Sequence, residues 1–205
     1  MELAGRTLLG WSLRAMEAAG SIDSVVIAAP PGTEERAAEI AEGFEIEATV
    51  VPGADSRSGS VAIGVTASVT ELVVVHDAAR PLVEPALIDA VVRRLIANED
   101  LAGVIAVIRA TDTLKEASVS RRVIRTLDRE RVWAVQTPEA FRAPDLLDVY
   151  AQADEQVLRE ATDDAMLVER YGGDILLHEG SPRNVKITTP TDLRFAELLI
   201  GQEAI

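Results

Sequence analysis

Short runs of branched apolar residues alternate along this chain with longer segments in which apolar residues recur every three or four positions. The long segments predict helices at residues 7–17, 34–42, 60–69, 84–97, 144–153 and 163–171, and a last helix opened by Thr189 and Asp192. The short runs predict strands at residues 24–29, 48–51, 72–75, 103–108, 134–136, 175–177 and 185–187. Because these strands lack polar alternation, both faces of their sheet should be covered. The pattern predicts an α/β fold with a mainly parallel sheet, helices on both faces and a single domain over residues 1–205.

Residues 113–133 break this pattern. Charged and hydroxyl side chains there are interleaved with a few apolar ones, so the segment is too polar for a pair of core strands. It predicts an exposed β-hairpin that protrudes from the domain. The apolar side chains that a partner could reach are Val119, Val123, Ile124 and Leu127. We therefore expect the hairpin to be a dimerisation arm, with one subunit's site bordering the other subunit's arm.

Composition limits the partners of the chain. It has 34 acidic and 20 basic residues and a net charge of −14, so its surface repels nucleic acid at long range. A bound phosphate compound therefore needs a local cluster of cations or backbone amides. The absence of cysteine excludes disulfides and thiolate zinc sites, and two histidines leave little scope for a histidine metal site. No apolar run approaches the ~18 residues of a membrane span and no secretory signal is present, which predicts a cytoplasmic protein without a membrane partner.

Two polar segments follow predicted strands, at the edge where open parallel sheets bind ligands. Within residues 76–81, the Asp77 carboxylate could bind a hydroxyl group or a hydrated metal ion, and Arg80 could pair with it or with phosphate. A strand-end turn with a local Asp–Arg pair explains these residues equally well. Residues 53–60 are small and polar and open a helix, which suits an anion. A polar loop with a serine cap is the commoner explanation of such a segment.

Four further polar positions have weaker support. Thr137 precedes Pro138 and alone indicates only a turn. Residues 162–164 (Thr-Asp-Asp) precede a helix, and a capped helix start with favourable acidic charge best explains both aspartates. Strand alternation places Lys186 on a polar face, where a solvated lysine is the simpler explanation. Arg129, near the end of the hairpin segment, could equally be a solvated surface residue.

Taken together, seven segments resemble the 2-C-methyl-D-erythritol 4-phosphate cytidylyltransferases. Their order and rough spacing agree with that family from Leu3 to Leu198. The string His-Asp-Ala-Ala-Arg-Pro is fairly specific by itself, and all seven segments in order are very specific. The segments are Ala-Asp-Ser-Arg-Ser-Gly-Ser-Val (54–61), His-Asp-Ala-Ala-Arg-Pro (76–81), Asp-Thr-Leu-Lys (112–115), Thr-Leu-Asp-Arg (126–129), Gln-Thr-Pro (136–138), Thr-Asp-Asp-Ala (162–165) and Asn-Val-Lys-Ile-Thr (184–188).

The resemblance implies a Rossmann-like nucleotidyltransferase fold with a β-arm that clasps a second subunit. It also implies CTP and a sugar phosphate as substrates, and Mg²⁺ held mainly by the nucleotide phosphates, with no metal ligand assigned to the protein. Arg129 and Lys186 would position the substrate phosphate for attack on the α-phosphorus. The residues around the cytosine and ribose would be Ala54, Asp55 and Ser60. The residues around the sugar phosphate or the nucleotide would be Asp77, Arg80, Thr113, Thr137 and Thr162.

The implied activity is transfer of CMP from CTP to 2-C-methyl-D-erythritol 4-phosphate with release of pyrophosphate, in isoprenoid precursor biosynthesis by the non-mevalonate pathway. A ribitol 5-phosphate cytidylyltransferase shares most of these segments, and no residue separates the two. The family's first strand and Gly-rich triphosphate loop precede the position that matches Met1, so we expect the sequence to be a piece of a longer protein. If it is complete, a non-catalytic nucleotide-binding dimer is the alternative, against which Asp77, Arg129 and Lys186 weigh.

Overall fold

The computed structural model describes residues 1–201. Its strands are β1 (Glu2–Leu3), β2 (Arg6–Thr7), β3 (Ser24–Ala29), β4 (Glu47–Pro52), β5 (Leu72–Val75), β6 (Gly103–Arg109), β7 (Lys115–Ala117), β8 (Val123–Thr126), β9 (Trp133–Arg142) and β10 (Ile175–Glu179). Its helices are α1 (Leu8–Ala18), α2 (Glu34–Ala41), α3 (Arg57–Ala67), α4 (Pro85–Ile96), α5 (Ala143–Gln152), α6 (Glu155–Glu160), α7 (Asp164–Arg170) and α8 (Pro190–Gly201). A turn of 3₁₀ helix covers Arg129–Arg131.

A four-stranded sheet in the order β10-β6-β9-β5 forms the centre of the fold. Strands β6 and β10 are parallel, whereas β9 runs antiparallel to both β5 and β6 between them. A separate parallel pair, β3 and β4, completes the layer. Val25 of β3 and Val74 of β5 pack against the same buried cluster from α1 and α4, which places the pair next to the sheet. The predicted α/β fold is confirmed, with β9 as an antiparallel strand that the pattern did not reveal.

Helices cover both faces of the four-stranded sheet. Ile105 and Val107 of β6 point to one face and pack in a cluster with buried residues of α3, α5, α6 and α7. Val104 and Ala106 of the same strand point to the other face, against α4. This alternation explains why the strand reads as one continuous apolar run. Within residues 1–201 no helix is both long and apolar enough to cross a membrane.

Two predicted strands differ from the structure for identifiable reasons. The predicted strand 134–136 is the first part of the much longer β9, which continues through Pro138 because its later residues lie between β5 and β6. The predicted strand at residues 185–187 is wrong. The chain there is irregular, and Ile187 donates its backbone N–H to Ala79 O at 2.7 Å. Its apolar side chain packs with Leu3 and the buried face of α8, so burial rather than strand pairing explains the pattern.

The predicted hairpin within residues 113–133 is confirmed. Strands β7 and β8 pair antiparallel, and β8 is exposed along its whole length. The hairpin is closed by polar contacts, among them Arg125 Nε to Glu116 Oε2 at 2.5 Å. Val119, Val123 and Ile124 are exposed at its surface. The fourth apolar residue of the prediction, Leu127, is half-buried, and the role of the hairpin as a dimerisation arm stays a prediction.

A pair of glycine substitutions tests the packing between β6 and β9. A Cβ added at Gly103 would lie 2.5 Å from Phe141 Cδ1 and 2.9 Å from Ile175 Cδ1, inside a packed core. We expect Gly103→Ala to lower the free energy of unfolding by about 1–3 kcal/mol through overpacking. Gly64→Ala is the matched control, because it lies within α3 and a Cβ there meets nothing within 4 Å. It should raise stability by about 0.5–1 kcal/mol, and urea denaturation that ranked the two variants the other way would contradict this packing.

Candidate active site

The Asp77 carboxylate lies just past the end of β5 and is surrounded by cations. Lys186 Nζ lies 2.7 Å from its Oδ2, and Arg57 Nε lies 3.3 Å from its Oδ1. Arg80 Nε is 4.0 Å from Oδ2. These cations come from the start of α3, the turn after β5 and the irregular segment before α8. Three chain segments therefore converge on one carboxylate at the edge where the sequence predicted a ligand site; we call this group the Asp77 cluster (Arg57, Asp77, Arg80 and Lys186).

A relay of hydrogen bonds through Thr137 and His76 fixes the backbone position of Asp77. Its backbone N–H donates to Thr137 Oγ1 at 3.1 Å. Thr137 Oγ1 lies 3.0 Å from His76 Nδ1, and His76 Nε2 lies 3.2 Å from Arg80 O. Since a carbonyl oxygen only accepts, the ring proton belongs on Nε2, and Nδ1 accepts from the threonine hydroxyl. Burial lowers the pKa of His76 from 6.5 to about 4, which keeps this neutral tautomer at physiological pH.

Arg80 is held in place by backbone carbonyls as well as by charge. Its guanidinium donates to Asn184 O at 2.9 Å and to Val135 O at 3.2 Å. The buried Asn184 side chain in turn donates to Thr137 O at 2.8 Å. Gln136 Nε2 adds a bond to Ser181 O at 2.9 Å. This network ties the irregular segment that carries Lys186 to strand β9.

The loop before α3 is built for a close approach of backbone. Gly53 donates its N–H to Ala29 O at 2.6 Å, and a Cβ there would lie 2.9 Å from that oxygen. The helix begins at residue 57, three residues earlier than predicted, with Ser56 as its cap accepting from Gly59 N at 3.0 Å. Ser60 Oγ accepts from Ala54 N at 3.0 Å, so Ala54 and Ser60 are joined across the turn. The backbone amides of this helix start favour an anion.

The electrostatics of the Asp77 cluster favour a bound anion. Burial raises the pKa of Asp77, but the hydrogen bond from Lys186 and the charge of Arg57 outweigh it and hold that pKa below its usual value of 3.8. Burial lowers the pKa of Arg80, although an arginine remains charged at any physiological pH. Three cations surround Asp77 and one of them, Arg57, also pairs with Asp164, so three cations against two carboxylates leave one net positive charge on a chain whose net charge is −14. This is the cation cluster that composition alone required for a phosphate ligand.

A second group of acids lies behind Arg57. Arg57 Nη1 is 2.7 Å from Asp164 Oδ2, and Asp164 accepts a hydrogen bond from Tyr150 OH at its other oxygen. Asp164 and Glu139 are both fully buried. Burial, and then the charge of Asp164, raises the pKa of Glu139 well above its usual value. The Glu139 oxygens have no hydrogen-bond partner among residues 1–201.

The structure brings together four of the predicted site residues and separates four others. Asp77, Arg80, Thr137 and Lys186 share one hydrogen-bonded cluster, and Ala54 and Ser60 flank it through the loop that supplies Arg57. The exposed positions outside this cluster are Asp55, Thr113, Arg129 and Thr162. Thr113 and Arg129 lie at the ends of the arm, and Thr162 precedes α7, where its hydroxyl lies 3.8 Å from Met166 Sδ.

Sequence reasoning missed Arg57 and the pairing of Arg57 with Asp164. The helix-start explanation holds for Asp163, which caps α7 by accepting from Met166 N at 2.7 Å. Asp164 is the acidic residue in the first turn of that helix, as predicted, but it is also buried and paired with Arg57. One signal could have found the pair: Arg57 occupies the first position of α3, where the helix dipole disfavours a cation, so a nearby carboxylate must compensate.

Comparison with known proteins extends these observations over the whole chain. A family model described as IspD, 2-C-methyl-D-erythritol 4-phosphate cytidylyltransferase, matches residues 1–202. The 2-C-methyl-D-erythritol 4-phosphate cytidylyltransferase of Pelotomaculum thermopropionicum is 43% identical, with 98% of this chain and 84% of the relative aligned. The solved 4-diphosphocytidyl-2C-methyl-D-erythritol synthase of Anaerococcus prevotii has a TM-score of 0.89 at 27% identity, covering 98% of this chain and 88% of that one. For the cytidylyltransferase of Thermus thermophilus, the TM-score is 0.81 at 34% identity, covering 98% and 92%.

The relay beneath Asp77 predicts an unusual histidine titration. The chain has two histidines, so a His178→Gln variant assigns both ring signals in a nitrogen NMR titration. We expect His76 to stay neutral, with its proton on Nε2, until the pH approaches 4. Because the folded protein binds this proton less tightly than the unfolded chain, its contribution to stability is complete above about pH 6.5 and is lost as the pH falls toward 4. A His76 midpoint at or above 6.5 would contradict the relay.

Proposed function

Because the chain belongs to the 2-C-methyl-D-erythritol 4-phosphate cytidylyltransferase family, we propose that it transfers CMP from CTP to 2-C-methyl-D-erythritol 4-phosphate and releases pyrophosphate. This reaction makes an isoprenoid precursor in the non-mevalonate pathway. The observation that carries the proposal beyond family membership is the Asp77 cluster, which gathers three cations at the sheet edge of an acidic protein. Two anionic substrates must meet in the reaction, and such a cluster offsets their repulsion.

The proposed chemistry is a direct displacement at the α-phosphorus of CTP. A phosphate oxygen of the sugar phosphate forms the new P–O bond, the bond to the β-phosphate oxygen breaks, and pyrophosphate leaves with the electron pair. The attacking oxygen is already ionised at neutral pH, so no strong general base is needed. Both ring nitrogens of His76 are engaged, and the chain has no cysteine, which supports a path without a covalent enzyme intermediate.

The residues of the Asp77 cluster have separate proposed roles. Lys186 would neutralise and align a substrate phosphate, and its side chain is 41% exposed, so a ligand can reach it. Arg80 and Thr137 would fix the geometry of Asp77 and contact the sugar phosphate. The loop before α3, with Ala54, the exposed Asp55 and Ser60, would hold the cytidine end, and the exposed Thr162 would contact the sugar phosphate or the nucleotide.

Magnesium is proposed as the cofactor. Within residues 1–201 no three or more His, Cys, Asp or Glu side chains are placed to hold a metal ion together. Such a site fits a Mg²⁺ ion that is carried by the nucleotide, because Mg²⁺ at phosphate sites is bound through one or two carboxylates plus the substrate phosphates. The ion would be held mainly by the nucleotide phosphates and would supply charge neutralisation there.

The arm is proposed to complete the site of a second copy. Its exposed Val119, Val123 and Ile124 favour burial against a partner. Arg129 and Thr113, at the ends of the arm, lie outside the Asp77 cluster of their own chain. A homodimer in which each arm borders the partner's cleft would give both residues a role at the substrate phosphate.

The direct test is pyrophosphate release from CTP by the full-length natural protein. Reactions contain 2-C-methyl-D-erythritol 4-phosphate, ribitol 5-phosphate or no acceptor, each with and without Mg²⁺. We expect release with methylerythritol phosphate and Mg²⁺, and loss of release on chelation that excess Mg²⁺ restores. Faster release with ribitol 5-phosphate would replace the proposed acceptor, and no release with either sugar phosphate would refute the activity.

The Lys186→Ala variant tests the cationic role. Its turnover should fall on the order of 10²–10³-fold, as for other single electrostatic groups that stabilise a transition state. The thermal midpoint should change little, because Lys186 is a partly exposed side chain outside the apolar core. Arg93→Ala on α4 is the control, since it removes an exposed cation that pairs with Asp89 rather than with Asp77. A folded Lys186→Ala enzyme with near-normal turnover would end the assigned role.

Ile124→Asp tests the arm. Light scattering at micromolar concentration should give a dimer mass for the wild-type protein and a monomer mass for the variant, because a charge would have to be buried at the contact. Val69→Asp is the matched control: Val69 is fully exposed but lies in the turn after α3, away from the arm. A monomeric wild-type protein, or a dimer that survives Ile124→Asp unchanged, would argue against the arm as interface.

A further inference from the structure

Arg57 links the cleft to the protein interior. Its guanidinium uses two different nitrogens, with Nε 3.3 Å from Asp77 Oδ1 and Nη1 2.7 Å from Asp164 Oδ2. The planar fork of arginine suits such a bridge between two carboxylates, whereas the single ammonium of lysine does not. The direction in which Asp77 presents its carboxylate therefore depends on where the guanidinium is anchored.

The anchor of Arg57 is buried and well satisfied. Asp164 begins α7 and is fully buried, and its second oxygen accepts the hydroxyl proton of Tyr150 on α5. An unpaired carboxylate that is shielded from water strongly destabilises the fold, so separating Asp164 from Arg57 would lower the stability of the protein. Burial lowers the pKa of Arg57, but the charges of Asp164 and Asp77 outweigh it and raise that pKa, so the bridge is always charged.

The other buried acid nearby does not compete for the bridge. Glu139 lies on β9, is fully buried, and has no hydrogen-bond partner among the described residues. Burial and the neighbouring negative charge of Asp164 favour its protonated form by raising its pKa. Because the Glu139 oxygens hydrogen-bond to none of the described residues, the Arg57 guanidinium contacts Asp164 and Asp77 instead.

We propose that Arg57 is a positioning residue: anchored behind the cleft by Asp164 and Tyr150, its guanidinium fixes the orientation of the Asp77 carboxylate for nucleotidyl transfer. The proposal rests on the proposed cytidylyltransferase function. It assigns a part in turnover to a tyrosine hydroxyl that lies behind two other side chains and touches no substrate.

The chain supplies a matched pair of variants for the test, because it has two tyrosines. Tyr150→Phe removes the hydroxyl that holds Asp164, and Tyr171→Phe removes a hydroxyl that donates to Gln152 O at 3.2 Å between the same two helices. Arg57→Lys keeps the charge but loses the fork. Each variant of the full-length protein is assayed for kcat, for thermal midpoint and for the Asp77 carboxyl titration by carbon NMR.

We expect kcat to fall roughly tenfold in Tyr150→Phe and roughly 10–100-fold in Arg57→Lys, as loss of charge-assisted contacts at a preorganised site would give. Tyr171→Phe should keep the wild-type kcat even if its thermal midpoint falls as far as that of Tyr150→Phe. In the wild-type protein the contacts of Lys186 and Arg57 lower the pKa of Asp77. Weakening the Arg57 contact should therefore raise that pKa in Tyr150→Phe and in Arg57→Lys, but not in Tyr171→Phe. The other charged or titratable groups around Asp77, whose contacts could also shift its pKa, are Arg80, Lys186 and His76.

Two results would overturn the proposal. One is an Asp77 titration that is the same in wild type, Tyr150→Phe and Arg57→Lys. The other is a kcat loss in Tyr150→Phe matched by Tyr171→Phe at equal thermal midpoint, which is the behaviour of a purely structural hydroxyl. If the wild-type protein released no pyrophosphate, the cytidylyltransferase function would fail, while the Asp77 titration would still decide whether Arg57 orients the carboxylate.

Discussion

The candidate site depends on the ion pairs that the Asp77 carboxylate makes with its neighbouring cations. The carboxylate pairs with Lys186 at 2.7 Å and with Arg57 at 3.3 Å, and Arg80 completes the group at 4.0 Å. Without this anion, cations from three separate chain segments would repel one another in a partly desolvated cleft. With Asp77 and the buried Asp164 they are held close together, and three cations against two carboxylates still leave one net positive charge. That remaining positive charge would attract a phosphate group to the cluster.

The rest of the fold places this carboxylate by fixing the chain on either side of it. Strand β5 ends just before it, and the Thr137 hydroxyl on β9 accepts its backbone N–H at 3.1 Å. Because β9 is antiparallel, it enters the sheet from the arm, passes the site at Thr137 and reaches the fully buried Phe141 in the core. One strand therefore connects the arm, the cleft and the hydrophobic interior. A partner bound to the arm would act on the same strand that supports Asp77.

Much of this could be predicted from the sequence, for a physical reason. Continuous apolar strands such as 103–108 and amphipathic helices such as 84–97 follow from burial, which the pattern records directly. The antiparallel direction of β9 left no such trace, because apolar content does not depend on strand direction. The segment 185–187 misled for a related reason: Ile187 is apolar because it packs against α8, not because it pairs in a sheet.

Within the site, charge pairing between distant segments was the part that local patterns could not supply. Asp77, Arg80 and Lys186 stood out because they follow strands or share a polar face. Arg57 and Asp164 are 107 positions apart, and Asp164 has an ordinary local explanation as an acid in the first turn of a helix. Their pairing becomes evident only when α3 and α7 lie on the same face of the sheet. An unpaired carboxylate buried there would strongly destabilise the fold. The apolar packing of those helices is thus what brings the buried pair together, and the buried pair in turn anchors the guanidinium that contacts the half-buried Asp77 carboxylate.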